Sequence, residues 1–282
     1  MPFTTLIDSA TLENELGTDR LVIVDCRFDL ADTDRGRREY ASRHIPGAVY
    51  ADLDKDLSGT KTGTNGRHPL PEPGVLARTF GKLGIDETIQ VVAYDQDSGM
   101  VASRLWWELR WLGHDKVAVL DGGFSRWLAE GRRTSSEVPV THARAFAPRP
   151  RSAMVATLDD VAAALRDGNW TLVDARAPAR FNGTVETLDR AAGHIPGAVN
   201  HFFQTNLSDA GTFRSADELR ERLQDALGDT PADRIISYCG SGVTACQNLL
   251  AMEHAGLRGA RLYPGSWSEW SADPARPIER QK

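Results

Sequence analysis

Cysteine is scarce, with three in 282 residues. That is too few for a disulfide framework, and a reducing cytoplasm is the expected setting. No zinc site is expected either, because Cys239 and Cys246 stand too far apart for the usual paired-ligand spacing and no second pair exists. Long apolar runs are missing. No stretch approaches the ~18 residues that a membrane span needs. The opening M-P-F-T-T-L-I-D-S-A lacks the basic-then-apolar pattern of a signal peptide. An excess of positive charge is missing too. Lys and Arg total 33 against 39 Asp and Glu, giving a net charge of −6 and a pI near 5.7. A general nucleic-acid surface is therefore not expected. What remains is a soluble globular chain, long enough for two ordinary domains.

What the sequence does contain is a repeat. L-V-I-V-D-C-R (Leu21–Arg27) has a partner in T-L-V-D-A-R (Thr171–Arg176), and R-H-I-P-G-A-V (Arg43–Val49) returns as G-H-I-P-G-A-V (Gly193–Val199). Q-V-V-A-Y-D (Gln90–Asp95) matches R-I-I-S-Y-C (Arg234–Cys239), and L-D-G-G-F-S-R-W (Leu120–Trp127) is echoed by Y-P-G-S-W-S-E-W (Tyr263–Trp270). The order is kept and the offset stays at about 145 residues, which marks duplication of a whole domain rather than a short solenoid repeat. In the first half Leu21–Val24, Ala48–Tyr50, Val91–Tyr94 and Val117–Leu120 read as strands, and Val101, Leu105, Leu109 and Leu112 recur at helical spacing. Such alternation predicts an α/β fold, a parallel sheet with helices on both faces in each half. Sites in such sheets gather at the carboxyl ends of the strands. The proline-rich stretch between Arg132 and Ala156 reads as a linker, and Leu57–Pro73 as an exposed loop able to border a cleft.

The stretch with the strongest chemical signal is I-I-S-Y-C-G-S-G-V-T-A-C, Ile235 to Cys246. Ile235–Tyr238 reads as a buried strand, Cys239 as its end, Gly240, Ser241 and Gly242 as a tight loop, and Val243–His254 as a helix. Such a loop turns backbone N–H groups inward, and the helix adds its unpaired N–H groups and positive dipole end. A thiolate held there is stabilised and becomes a nucleophile. Cys26, inside a strand, and Cys246, inside the helix, read as small buried hydrophobes.

The repeat is an internal control. Where the second half has Cys239, the first has Asp95 in D-Q-D-S-G-M-V. A carboxylate cannot accept and pass on sulfur, and an anion cradle is expected to disfavour the acids of this loop. The first half is therefore expected to pack and to wall a site rather than react. His44 and His194 fall in matching Pro-Gly turns, which favours a turn and hydrogen-bonding role. Trp127 and Trp270 read as scaffold. Arg176 beside Asp174, mirrored by Arg27 beside Asp25, reads as bracing. Arg180 has no twin, and its planar fork suits a carboxylate or sulfonate; Arg190 is a further candidate on the same reasoning.

The tandem arrangement, both H-I-P-G-A motifs and the loop C-G-S-G-V-T-A resemble the two-domain rhodanese and 3-mercaptopyruvate sulfurtransferase family. The resemblance spans nearly the whole chain. It implies two rhodanese-like domains, 1–135 without a catalytic cysteine and 157–282 with Cys239, joined by a linker over 136–156. It implies that Cys239 takes a sulfane sulfur as a persulfide and passes it to a thiophilic acceptor: cyanide, a small thiol or a thioredoxin-like dithiol. It implies no metal and no organic cofactor. Nucleic acid and membrane are not expected partners. The N–H groups from Gly240 through Ser241, Gly242 and Val243 to Thr244 are the expected cradle for negative sulfur. The Cys-Gly-Ser-Gly loop is similar to the mercaptopyruvate type, since thiosulfate-preferring members often carry basic residues after the cysteine. In that type an arginine at Arg180 holds the substrate carboxylate and the serine at Ser241 assists. His44 with a nearby acid, here Asp34, and Arg190 are the further candidates. Two other readings stay open. A cysteine phosphatase wants an arginine six residues after the cysteine, where this chain has Ala245. A persulfide carrier or redox-sensing module would load once and wait for a protein partner.

Overall fold

The computed structural model describes residues 2–281. The chain forms two compact units. The first runs to Gly59, resumes over Pro71–Arg151 and takes in Asp209–Thr212. The second holds Thr60–Leu70, Ser152–Ser208 and the chain from Phe213 onward.

The first unit runs in order through β1 (Leu6–Ile7), α1 (Ser9–Glu15), β2 (Leu21–Asp25), α2 (Arg35–Ser42), β3 (Val49–Tyr50), α3 (Pro73–Lys82), β4 (Gln90–Tyr94), α4 (Ala102–Trp111), β5 (Val117–Leu120) and α5 (Gly123–Ala129). Its five strands are all parallel, in the order β1-β5-β4-β2-β3. The apolar runs fall on the central strands because both faces are covered, so β4 and β5 are buried almost throughout. Ile23, Val92, Tyr94, Ala118, Phe124 and Trp127 pack into one core.

The second unit repeats the plan with α6 (Leu158–Asp167), β6 (Thr171–Asp174), α7 (Pro178–Phe181), β7 (Val199–Asn200), α8 (Ala216–Leu227), β8 (Ile235–Tyr238), α9 (Thr244–His254), β9 (Arg261–Leu262) and α10 (Ser266–Trp270). Its sheet is also parallel, in the order β7-β6-β8-β9. Thr157 with Asp160 and Ser215 with Glu218 form capping boxes that start α6 and α8. Leu172, Ile236, Tyr238, Trp267 and Trp270 make its core. The two units share their fastenings. Tyr94 Oη accepts from Ile45 N at 3.2 Å, and Tyr238 Oη from Ile195 N at 3.2 Å. Register pairs Asp174 with Tyr238, so Cys239 lies one step beyond the carboxyl edge of the sheet.

Two expectations need correction. The stretch 136–151 does not hang free as a linker but belongs to the first unit. Arg144 N donates to Gly81 O at 2.9 Å and Arg151 N to Trp111 O at 2.8 Å, and Arg151 pairs with Asp115 at 2.6 Å. Backbone groups that find such partners are no longer linker. Nor is Leu57–Pro73 one exposed loop. Lys61–Thr64 are exposed, but Thr60–Leu70 packs into the second unit and buries His68 to 3% exposure.

Candidate functional site

β8 ends at Tyr238, and the chain then folds back through Gly240–Val243 into α9. Gly242 takes φ +76°, and a Cβ there would stand 2.4 Å from Pro264 O, so only glycine makes this turn. The turn points Gly242 N at Cys239 Sγ, 3.2 Å away. Cys239 is 2% exposed. Behind it, Cys239 N donates to Ser266 Oγ at 3.1 Å, and Cys239 O accepts from Trp267 N at 2.9 Å. Ser266 is the one non-glycine residue with positive φ among the described residues, at 55°. The first unit has Gly123 there at φ 59°. The second unit thus accepts a backbone strain that the first avoids, and the serine hydroxyl obtained that way holds the cysteine's own peptide.

Arg180, on α7, sits over the loop. Its Nη1 lies 3.3 Å from where a Cβ on Gly240 would be, and Arg67 Nη2 lies 2.7 Å from the same point. Gly240 needs no special φ; it is glycine so that two guanidinium groups can approach the backbone beside Cys239. Asp189 bridges both arginines, bonding Arg180 Nη2 at 2.8 Å and pairing with Arg67 Nη1. Glu186 takes Arg180 at 2.9 Å. Burial opposes ionisation of Glu186, but the Leu188 N–H, Arg180 and the Asp189 N–H outweigh it and hold its pKa below the ordinary value. Arg67 Nε is buried without a hydrogen-bond partner among the described residues. Beside them, His68 Nδ1 meets Ser241 Oγ at 2.7 Å.

Arg67, His68, Glu186 and Asp189 were not singled out by sequence reasoning. Arg67 and His68 lie in a glycine-rich stretch without periodicity, about 170 residues from the loop they meet. The signal that existed was the H-P that follows Arg67, which resembles any turn.

Three candidate site residues, His44, Asp34 and Arg190, take other roles. His44 is fully buried, with Nδ1 on Tyr40 O at 2.7 Å and Nε2 on Glu137 O at 3.1 Å, so both ring nitrogens face the scaffold and neither faces a substrate. His194 is its counterpart, bonded to Phe181 O at 2.8 Å. Asp34 is 66% exposed and pairs with Lys55 at 3.5 Å, a surface contact. Arg190 is exposed and donates to Ala272 O at 3.0 Å. Asp95 also differs from expectation. Its loop does not disfavour the acid but wraps it, with Gly99, Val101 and Ala102 N–H donating to its carboxylate at 2.9, 2.8 and 3.1 Å. The first unit's cradle is filled by its own side chain. Burial still pushes the Asp95 pKa up against those bonds.

Cys26 and Cys246 are both fully buried. Burial, then Asp25 and Asp95, push the Cys26 thiol well above its ordinary range. Arg27–Asp25 and Arg176–Asp174 are matching buried pairs, each closed at 2.6 Å.

Paired parallel sheets, each with a loop closing around one acidic or sulfur side chain at its carboxyl edge, define a duplicated α/β protein. The rhodanese-like domain model matches twice, over residues 8–130 and 157–273, and the chain belongs to that family. A probable 3-mercaptopyruvate sulfurtransferase of Pseudomonas aeruginosa is 42% identical over 275 residues, covering 97% of each chain. A putative thiosulfate sulfurtransferase, SseB, of Mycobacterium tuberculosis is 38% identical, covering 93% of this chain and 92% of its own. Among solved structures, SseA from Escherichia coli, described as a 3-mercaptopyruvate sulfotransferase, superposes with a TM-score of 0.82 at 32% identity, covering 95% of this chain and all of its own.

Proposed function

We propose that the protein is a sulfurtransferase that moves a sulfane sulfur from 3-mercaptopyruvate, or more slowly thiosulfate, to a thiophilic acceptor through a persulfide on Cys239. The observation that carries this reading is the Gly242 N–H aimed at Cys239 Sγ at 3.2 Å, beneath two arginines. The Cys239 thiolate attacks the donor's outer sulfur, and a new S–S bond forms. With 3-mercaptopyruvate the carbon–sulfur bond breaks, its electron pair leaves as the enolate, and a proton completes pyruvate. With thiosulfate the S–S bond breaks and sulfite leaves with the pair. Cyanide, a small thiol or a thioredoxin-like dithiol then attacks the terminal sulfur and returns Cys239 to thiolate.

Arg180 and Arg67 are the proposed grip for the donor's carboxylate or sulfonate. Ser241, hydrogen-bonded to His68, is the proposed proton path beside the reacting sulfur. The loop N–H groups hold the developing charge. The loop itself carries no basic residue, which favours the monoanionic donor. Arg67 and Arg180 bring cations from outside the loop, but Asp189 and Glu186 balance them. A thiosulfate preference therefore lacks the uncompensated charge it would want.

The test is steady-state transfer to cyanide from each donor, with Cys239→Ser as control. Higher kcat/KM with 3-mercaptopyruvate is expected, and no turnover in the variant despite an unchanged melting curve. Full turnover by Cys239→Ser would sink the assignment. A single loading event without multiple turnover would instead support a persulfide carrier.

A further inference from the structure

The first unit contains a cavity of about 320 Å³ that the sulfur chemistry does not use. Arg27, Ser42, Arg43, Gln96 and Phe124 line it. Arg27 is 4% exposed. Its Nε and Nη2 are taken by Asp25 at 2.6–3.0 Å, Nη2 also donates to Arg43 O at 2.7 Å, and the guanidinium lies 4.2 Å over the Phe124 ring. Its Nη1 has no acceptor among the described residues.

The repeat shows what such a group wants. Arg176, the counterpart of Arg27, makes the same bonds to Asp174 and to Gly193 O, and its ring partner is Trp267. Its Nη1 faces the Glu186 carboxylate at 3.5 Å, and that carboxylate is buried. The second unit thus covers this arginine with an acid of its own. In the first unit no carboxylate other than Asp25 lies within ion-pair distance of Arg27 among the described residues, and the cavity stands in that place.

The remaining charges of the wall leave a positive balance. Glu39 lines the cavity but is held by Arg35 at 2.8 Å, and Arg38 is held by Asp32 at 2.5 Å. Arg43 has no ion-pair partner among the described residues, and its counterpart in the repeat is Gly193, so this charge is particular to the first unit. The Gln96 amide, bonded to Ser125 Oγ at 2.9 Å, closes one side, and Phe124 and Leu128 give an apolar floor.

We propose that this cavity binds a small carboxylate anion, with Arg27 Nη1 and Arg43 as its donors. A small organic acid with a short apolar body fits the volume and floor; Glu186 in the second unit is the covalently tethered version of the same ligand.

The probe is sodium acetate, titrated into the full 15N-labelled chain against sodium chloride at constant ionic strength, with sodium sulfate as a second arm. Saturable shifts are expected at the Arg43 and Gln96 amides and at Arg27 Nε–H. Arg43→Ala is expected to weaken acetate at least fivefold, and Arg43→Glu to abolish saturation, with the rest of the spectrum in place. Acetate bound near Arg180 would move signals of residues 240–246 with a midpoint that Arg43 variants leave alone. Shifts that stay linear to the highest concentration, or that persist unchanged in Arg43→Ala, overturn the site. Saturation by sulfate without acetate overturns its assignment to a carboxylate. The readout is binding, so it stands whether or not sulfur is transferred.

Discussion

Ser266 shows how one residue trades backbone strain for position. A non-glycine residue in the left-handed region costs about 1–2 kcal/mol. The hydroxyl repays this by accepting Cys239 N at 3.1 Å and donating to Tyr263 O at 2.9 Å. Ser266→Gly should leave the melting temperature nearly unchanged, because strain is relieved as the hydrogen bonds are lost. Its kcat/KM should fall about tenfold, the scale of about 1.4 kcal/mol of lost positioning. Ser266→Ala keeps the strain and loses the bonds, so it should also be less stable, by about 1–2 kcal/mol in urea unfolding. Equal stability of the two variants would refute this account. Arg67 and Gly240 form a second residue-scale test. Arg67→Ala should raise KM for the donor about tenfold with little change in kcat. Gly240→Ala meets the flexible ends of Arg67 at 2.7 Å and, less closely, of Arg180 at 3.3 Å, so the fold should survive while Arg67 is displaced most. The double variant should be no worse than either single one, since both remove the same contact.

At the scale of elements, α9 is the support beneath the loop, and its buried side is held by polar groups as well as apolar ones. Asn206 Nδ2 donates to Gln247 Oε1 at 2.9 Å and to Asn248 Oδ1 at 2.8 Å, its Oδ1 meets His201 Nε2 at 2.9 Å, and Asn248 Nδ2 returns to His201 O at 2.9 Å. All four residues are buried. Replacing Asn206 by Leu leaves several of these groups without partners, at a cost of about 2–3 kcal/mol. Urea unfolding should show it as a lower midpoint at unchanged slope. The apolar run and the glycine loop that follows it made β8 and α9 legible in the sequence. No such pattern marks Thr60–Leu70, which has no regular structure and is held by Arg67 N on Ser268 Oγ at 3.1 Å and by side chains of the second unit.

At the scale of the whole molecule, the charges predict how stability follows pH. Asp86 is held down at about 2, first by Thr88 and then by Arg144, whose Nη1 is 2.8 Å away. Its folded pKa lies below its unfolded one, so this contribution is complete above about pH 4 and is lost as the pH falls through 2. Water screens the pair, which limits it to about 0.5–1 kcal/mol. Glu108 has the opposite sign. Burial pushes it up to about 7 in spite of Arg104, so the stability it confers when protonated is lost as the pH rises through 7. Denaturant unfolding against pH should therefore show the first unit most stable on the mildly acidic side. Arg144→Ala should shrink the loss between about pH 4 and 2 and leave the neutral limb alone. An unchanged acid limb would show that Asp86 is not bound by Arg144 in solution.

The chain by itself determined the duplication, the parallel α/β plan of each half and the loop that carries Cys239. These depend on local pattern: apolar runs, glycines at a strand end and a motif printed twice. The turn and hydrogen-bonding reading of His44 agrees with its two carbonyl partners, whereas the candidate substrate residues Asp34 and Arg190 meet Lys55 and the Ala272 carbonyl, because a side chain's role depends on what it meets. Only the tertiary structure decided that His68 and Arg67 belong to the loop, that 136–151 is part of the first unit, and that Asp95 occupies its own cradle. Each of those depends on contacts between residues far apart in sequence, where no period or spacing records the pairing. Packing alone brings such groups within hydrogen-bond reach.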